Sequence, residues 1–152
     1  MNPYGKQLDR QVKRLVEGAE AHGIPTRSME LIGNALRTIA DQLDFPTYNI
    51  LTAKNGGWLK VTLSNCNFPE MEKQVVYAYP SYEAARNEAN QLLELDPYCQ
   101  EIGTIDLLFQ LLALTEIDSL IFLNQARSGK EINRKELHNL CQKQLQPPTY
   151  LA

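Results

Sequence analysis

The chain has 152 residues, 43% of them apolar and 22% charged, with a formal net charge of -3. That length fits one domain, and that balance is ordinary for a globular protein with a core of its own. The mild negative charge gives no general pull toward nucleic acid or an anionic membrane.

Leu8, Val12, Leu15, Val16 and Ala19 fall on one side of a helix predicted over 6–21. His22-Gly23-Ile24-Pro25 should stop it, since glycine suits the helix end and proline cannot extend it. A second helix should start near Thr26 or Ser28, either a capping residue, and carry Ile32, Ala35, Leu36, Ile39 and Leu43 to Phe45-Pro46. So short a linker predicts an antiparallel helical hairpin over 1–45.

A β region follows. Tyr48–Ala53 and Trp58–Leu63 flank Lys54-Asn55-Gly56-Gly57, whose Asn-Gly pair suits a type I′ hairpin turn. Leu59, Val61 and Leu63 should point one way, Trp58, Lys60 and Thr62 the other. Residues 64–73 read as a polar loop and Gln74–Tyr79 as a third strand, completing an antiparallel meander. The helical hairpin should cover the face that bears Leu59, Val61 and Leu63.

Ser81 should cap a third helix, which Asp96-Pro97 ends. Thr104 should cap the next, through Leu114, and Leu120-Ile121-Phe122-Leu123 is an unbroken apolar run suited to a buried strand over 119–124. Together these two form the most apolar part of the chain. Asp106, Gln110, Glu116 and Asp118 interrupt it too often for a membrane span. A turn over 125–129 follows, and Asn133 with Glu136 has the spacing of a helix cap ahead of Leu137, Leu140, Cys141 and Leu145. The expected fold is α+β in a single domain: the hairpin over 1–45, a mixed-sheet core over 46–146 and a tail over 147–152. The two-helix crossover suits a parallel or mixed placement of the last strand.

Tyr79-Pro80-Ser81-Tyr82-Glu83-Ala84 resembles the run with which a strand enters a helix in bacterial SseB-type domains, named after enhanced serine sensitivity. Leu120–Asn124, Gly129, Glu131, Ile132 and Leu137 resemble the run that closes them. The resemblance spans about 48–142. Pro80 and Gln125 depart from it, standing where the family usually has Thr and Pro. It implies an α+β core and no established catalytic residues.

Catalytic candidates are sparse. His22 and His138 have no metal ligand at zinc spacing, and the acidic residues lack EF-hand spacing. Cys66 and Cys99 sit in predicted loops without a neighbouring base, and Cys141 falls on an apolar helical face. Ala126-Arg127-Ser128-Gly129-Lys130 lacks the first glycine of a P-loop. We therefore assign no catalytic residue, cofactor or metal.

Two surface candidates remain. Lys6, Arg10, Lys13 and Arg14 form a basic stripe on the first helix. Asp9, Glu17 and Glu20 dilute it and no aromatic interleaves it, which disfavours nucleic acid. Tyr48, Trp58, Lys60, Tyr77 and Tyr79 form a candidate interaction surface, since Trp and Tyr commonly anchor protein contacts. The alternative is that some of these rings pack beneath the N-terminal helices. Residues 46–126 carry a net charge of -6 and residues 127–152 a net of +3, a further asymmetry available to a partner.

The expected function is a cytosolic, non-enzymatic protein that binds another protein, with three cysteines kept reduced and no secretory leader visible in MNPYGKQLDRQ. A homodimer through the hairpin is a second arrangement. An enzyme with dispersed catalytic residues, and a nucleic-acid accessory factor using the first helix, are the alternatives.

Overall fold

The computed structural model describes residues 3–65 and 68–146 and has an α+β fold. Its elements are α1 (Gly5–Glu17), α2 (Thr26–Ala40), β1 (Thr47–Thr52), β2 (Val61–Asn65), β3 (Phe68–Ala78), α3 (Tyr82–Gln91), β4 (Tyr98–Gly103), α4 (Thr104–Ala113), β5 (Ser119–Leu123), β6 (Gly129–Asn133) and α5 (Arg134–Leu145). Cys66 and the tail 147–152 lie outside the described residues.

The helical hairpin forms as expected, with different punctuation. A 3-10 turn, Glu20–His22, follows α1, and Gly23 ends it at φ 68°, a conformation open to glycine. Pro25 rather than Thr26 or Ser28 occupies the position before α2, and no side chain caps that end. At the crossing of the two helices a Cβ on Gly33 would lie 2.9 Å from Val12 Cγ1, so the missing side chain is what lets them approach. Arg37 ties them further, donating from Nε to Asp9 at 2.9 Å and pairing with Asp41.

Two sheets replace the single meander. β2, β3, β5 and β6 form a four-stranded mixed sheet in that order, and β1 pairs antiparallel with β4. Of the expected β1–β2–β3 meander the antiparallel β2–β3 pairing forms, while β1 meets that part of the chain only through bridges, Thr52 with Trp58 and Asn49 with Tyr79. β4 is legible neither as helix nor as alternating strand, because Tyr98, Gln100 and Glu101 are all exposed. The predicted polar loop 64–73 is largely strand: β2 and β3 form a hairpin in which Val61 faces Val75 and Leu63 faces Lys73. Residues 129–133, of which Gly129, Lys130 and Glu131 are exposed, form the edge strand β6.

The turn over 53–57 also differs. The Gly56 N–H donates to Ala53 O and the Ala53 N–H to Gly57 O. Gly56 alone has a positive φ, 90°, and Asn55 stays in the ordinary region. This is a tight turn closed by a left-handed glycine, not a type I′ pair.

β5 runs parallel to β3, with Val75 opposite Ser119 and Ala78 opposite Phe122. Asp118 secures this junction. Its N–H donates to Gln74 O, its carboxylate accepts from the Gln74 N–H at 2.8 Å, and its carbonyl accepts from the Arg134 N–H. α4 and β5 divide as expected, with Ile117 buried between them.

Strand alternation then sorts side chains onto two faces. Val76, Ala78, Leu120 and Phe122 enter the main core with Leu36 and Ala40 of α2, Leu107, Leu108 and Leu111 of α4, and Leu137 and Cys141 of α5. The N-terminal hairpin thus covers this face, with α2 packed against α1, α4 and α5. It does not cover Leu59, Val61 and Leu63, contrary to the expectation from sequence. Those residues look the other way, where among the described residues the short helix α3 alone stands, packed on β1 and β4 through Leu51, Ala85 and Ala89.

Candidate functional site: the open face of the four-stranded sheet

The five residues of the predicted aromatic surface are divided between the two sides. Tyr48 is 1% exposed in the core, with its ring edge-on to Phe45 and Phe122 and its hydroxyl accepting from the Asp44 and Phe45 N–H groups. Burial raises its pKa. Trp58 is half-buried against the main core and Lys60 is exposed. Tyr48 is therefore no surface residue, and Trp58 packs partly against the main core. β-strand alternation explains the split: Tyr77 and Tyr79 lie two residues apart on β3 and its continuation, and so share the open face.

There Tyr77 and Tyr79 stand with ring centroids 6.4 Å apart. A groove of about 410 Å³ runs between them and α3, bounded by Leu51, Leu59, Val61 and Leu92. A second hollow of about 430 Å³ continues it toward the C-terminal ends of the parallel strands β3 and β5, where Asn124 and Arg127 line it. Tyr79, Glu88 and Leu123 border both. Val61 is 36% and Leu63 37% exposed, and Tyr82, Leu93, Leu95 and Tyr98 add further exposed apolar side chains on and after α3. Burial is the main cause that raises the Tyr79 pKa, with Glu88 adding to it, so this hydroxyl stays protonated.

Local sequence explains the positions. Ser81 Oγ accepts from the Ala84 N–H at 3.1 Å, which starts α3 directly after β3 and holds it over the sheet end. Asn124 Oδ1 accepts from the Ala126 and Ser128 N–H groups and folds the β5–β6 turn in which Arg127 takes φ 62°. Gly129 of β6 lies where a Cβ would stand 2.7 Å from Ile121 Cγ2. Beside them Ser119 Oγ donates to Glu131 Oε2 at 2.6 Å, and Lys73 pairs with the same carboxylate. Lys73 first, then Ser119, holds the Glu131 carboxyl below its ordinary pKa.

The other sequence candidates are scattered. Lys6, Arg10, Lys13 and Arg14 are exposed on α1, remote from the groove in the fold, with Asp9 among them engaged by Arg37. His22 lies edge-on to Phe109, 5.1 Å between ring centroids, over a shallow hollow that also holds Asp106. Burial raises the Asp106 pKa against the opposing pull of Arg14 and His22. No serine, threonine or cysteine lines that hollow, so it offers an acid and an imidazole without a nucleophile. Cys99 is half-buried under α3, and burial pushes the Cys141 thiol up to about 11, an inert packing group. His138 is exposed on α5. Among the described residues no group of three or more His, Cys, Asp or Glu could hold a metal ion, and no helix is long and apolar enough to cross a membrane.

No family model, curated protein or solved structure matches this chain.

Proposed function

We propose that this is a cytosolic, non-enzymatic protein that works by binding another protein on the open face of its four-stranded sheet, and that its core is akin to SseB-type domains. The observation that carries the reading is the apolar groove beneath α3, where Tyr77, Tyr79, Leu59 and Leu123 meet and, among the described residues, no residue of α1, α2, α4 or α5 lines it. Aromatic and aliphatic side chains beside a pocket supply contact area at small conformational cost, the usual anchors of a protein interface. The kinship is supported by the passage from β3 through Ser81 into α3 and by the order β5, β6, α5.

The test is affinity capture from native lysate with the wild-type chain and with Tyr77→Asp. Tyr77 is half-buried on the open face, so the variant should keep its far-ultraviolet circular dichroism. A stoichiometric partner retained by wild type and lost by the variant is expected. Recovery of no partner, or of the same partner by both, would remove the proposal, as would turnover in a broad activity screen.

A further inference from the structure

The sheet has two edges, and they are built differently. β6 carries Lys130 and Glu131, whose side chains engage Gln42 and Lys73. Charges of that kind keep an edge strand solvated and unpaired. β2, Val61-Thr62-Leu63-Ser64-Asn65, has no charged residue and no proline. It ends the strand order, and among the described residues β3 is the only element packed substantially against it. β3 itself pairs with β5 only over Val75–Ala78, so from Val75 back toward its start the hairpin is a two-stranded ribbon. A ribbon of two strands with one row of backbone N–H and C=O groups facing solvent is marginal by itself.

We propose that a second copy of this chain completes that edge, with β2 pairing antiparallel to β2 of the partner copy about a two-fold axis at Thr62. Three observations select this occupant and register. Identical strands related by a two-fold axis pair antiparallel and consume both free edges at once, so the assembly closes as a dimer. Centring on Thr62 sets Val61 opposite Leu63 on the open face and Lys60 opposite Ser64, so no like charges meet. The register shift between Leu63 and Asn65 bends the strand beyond Leu63, which keeps the pairing on the regular half of β2. The dimer has one continuous eight-stranded sheet, and Val61 and Leu63 lose part of their exposure. This inference uses an edge rather than a groove and does not depend on the heterologous partner proposed above.

Light scattering after size exclusion, over a dilution series from millimolar to low micromolar, tests it with the intact chain. The expected mass at high concentration is twice 17.3 kDa. A monomer mass throughout the series overturns the proposal. Thr62→Lys and Thr62→Glu each place like charges opposite themselves at the axis, and Thr62 is exposed, so both should fold and run as monomers. Mixed together they should restore the double mass. Either variant remaining dimeric alone, or the mixture remaining monomeric, overturns the pairing at this edge.

Discussion

Gln11 joins three parts of the chain through one side chain. Its Nε2 donates to Pro46 O at 2.8 Å and its Oε1 accepts from the Ile105 N–H at 3.0 Å. It thereby satisfies an N-terminal donor of α4 that neither Gly103 nor Thr104 caps, since the Thr104 hydroxyl donates instead to Phe45 O. Replacing Gln11 by Ala leaves the Ile105 N–H unpaired in a partly buried place, while Pro46 O keeps the Thr104 N–H. The expected loss is about 1–3 kcal/mol in urea unfolding, while Gln7→Ala, exposed on the same helix, should stay within about 0.5 kcal/mol of wild type. Equal effects would contradict the bridging role. Nothing in the sequence marks Gln11, because its partners lie 35 and 94 residues away. Tyr77 and Tyr79 were legible as surface aromatics, whereas Tyr48 was not distinguishable from them. A strand buried on both sides has no alternation to read, and β1 is nearly such a strand.

Glu131 gives a pH-dependent expectation at the same scale. Its folded pKa is lowered, by Lys73 and then Ser119. A carboxyl of that kind contributes stability above its unfolded pKa, and loses it as pH falls through the lowered folded value. Unfolding measured from neutral pH downward should therefore fall less steeply for Glu131→Gln than for wild type. Parallel curves would show that the carboxylate contributes nothing to the fold. The pair is partly exposed, so added salt should shrink the difference.

At the scale of elements, the crossing of α1 and α2 rests on Gly33. Alanine in a helix interior is worth about 1 kcal/mol over glycine, but here its Cβ would meet Val12 Cγ1 at 2.9 Å. Gly33→Ala should nonetheless destabilise, by about 1–3 kcal/mol, because the crowded valine is stiff at χ1 and the helices must separate. Val12→Ala with Gly33→Ala should recover more than the two single effects predict, the signature of direct contact. A stabilised single variant would show that Val12 turns aside freely.

The helices were legible at their starts, since each carries an apolar stripe and Ser81 and Asn133 are caps with a side-chain mechanism, but α1, α2 and α3 stop at Glu17, Ala40 and Gln91, short of the expected stops. The strands were harder. β4 and β6 are edge strands whose exposed polar residues carry no period, and the start of β3 is rich in charge. Their pairing is decided by distant chain, which local pattern cannot show. Parallel β5 was legible because an apolar run after a helical crossover has few other places to lie.

At the scale of the molecule, one sheet has two different fates. Four helices close one face into the main core, and α3, held by β1 and β4, leaves much of the other open. Sequence reasoning expected the N-terminal hairpin on the face of Leu59, Val61 and Leu63. The hairpin instead packs with Val76, Leu120 and Phe122 in the core they share with α4 and α5. The candidate site is a consequence of that choice: a groove exists because the short helix over this face is too small to cover it.

Adjacent residues of β5 test this division most directly. Phe122 is buried in the helical core, and Leu123 lies half-buried in the groove. Urea unfolding of Phe122→Asp and Leu123→Asp should give opposite results. Phe122→Asp should lose at least about 3–5 kcal/mol or fail to fold, from a deleted core ring and a buried charge. Leu123→Asp should stay folded with a loss of about 1 kcal/mol, within the usual range of single substitutions. Equal losses, or a larger loss at Leu123, would contradict a sheet with one sealed face and one open face.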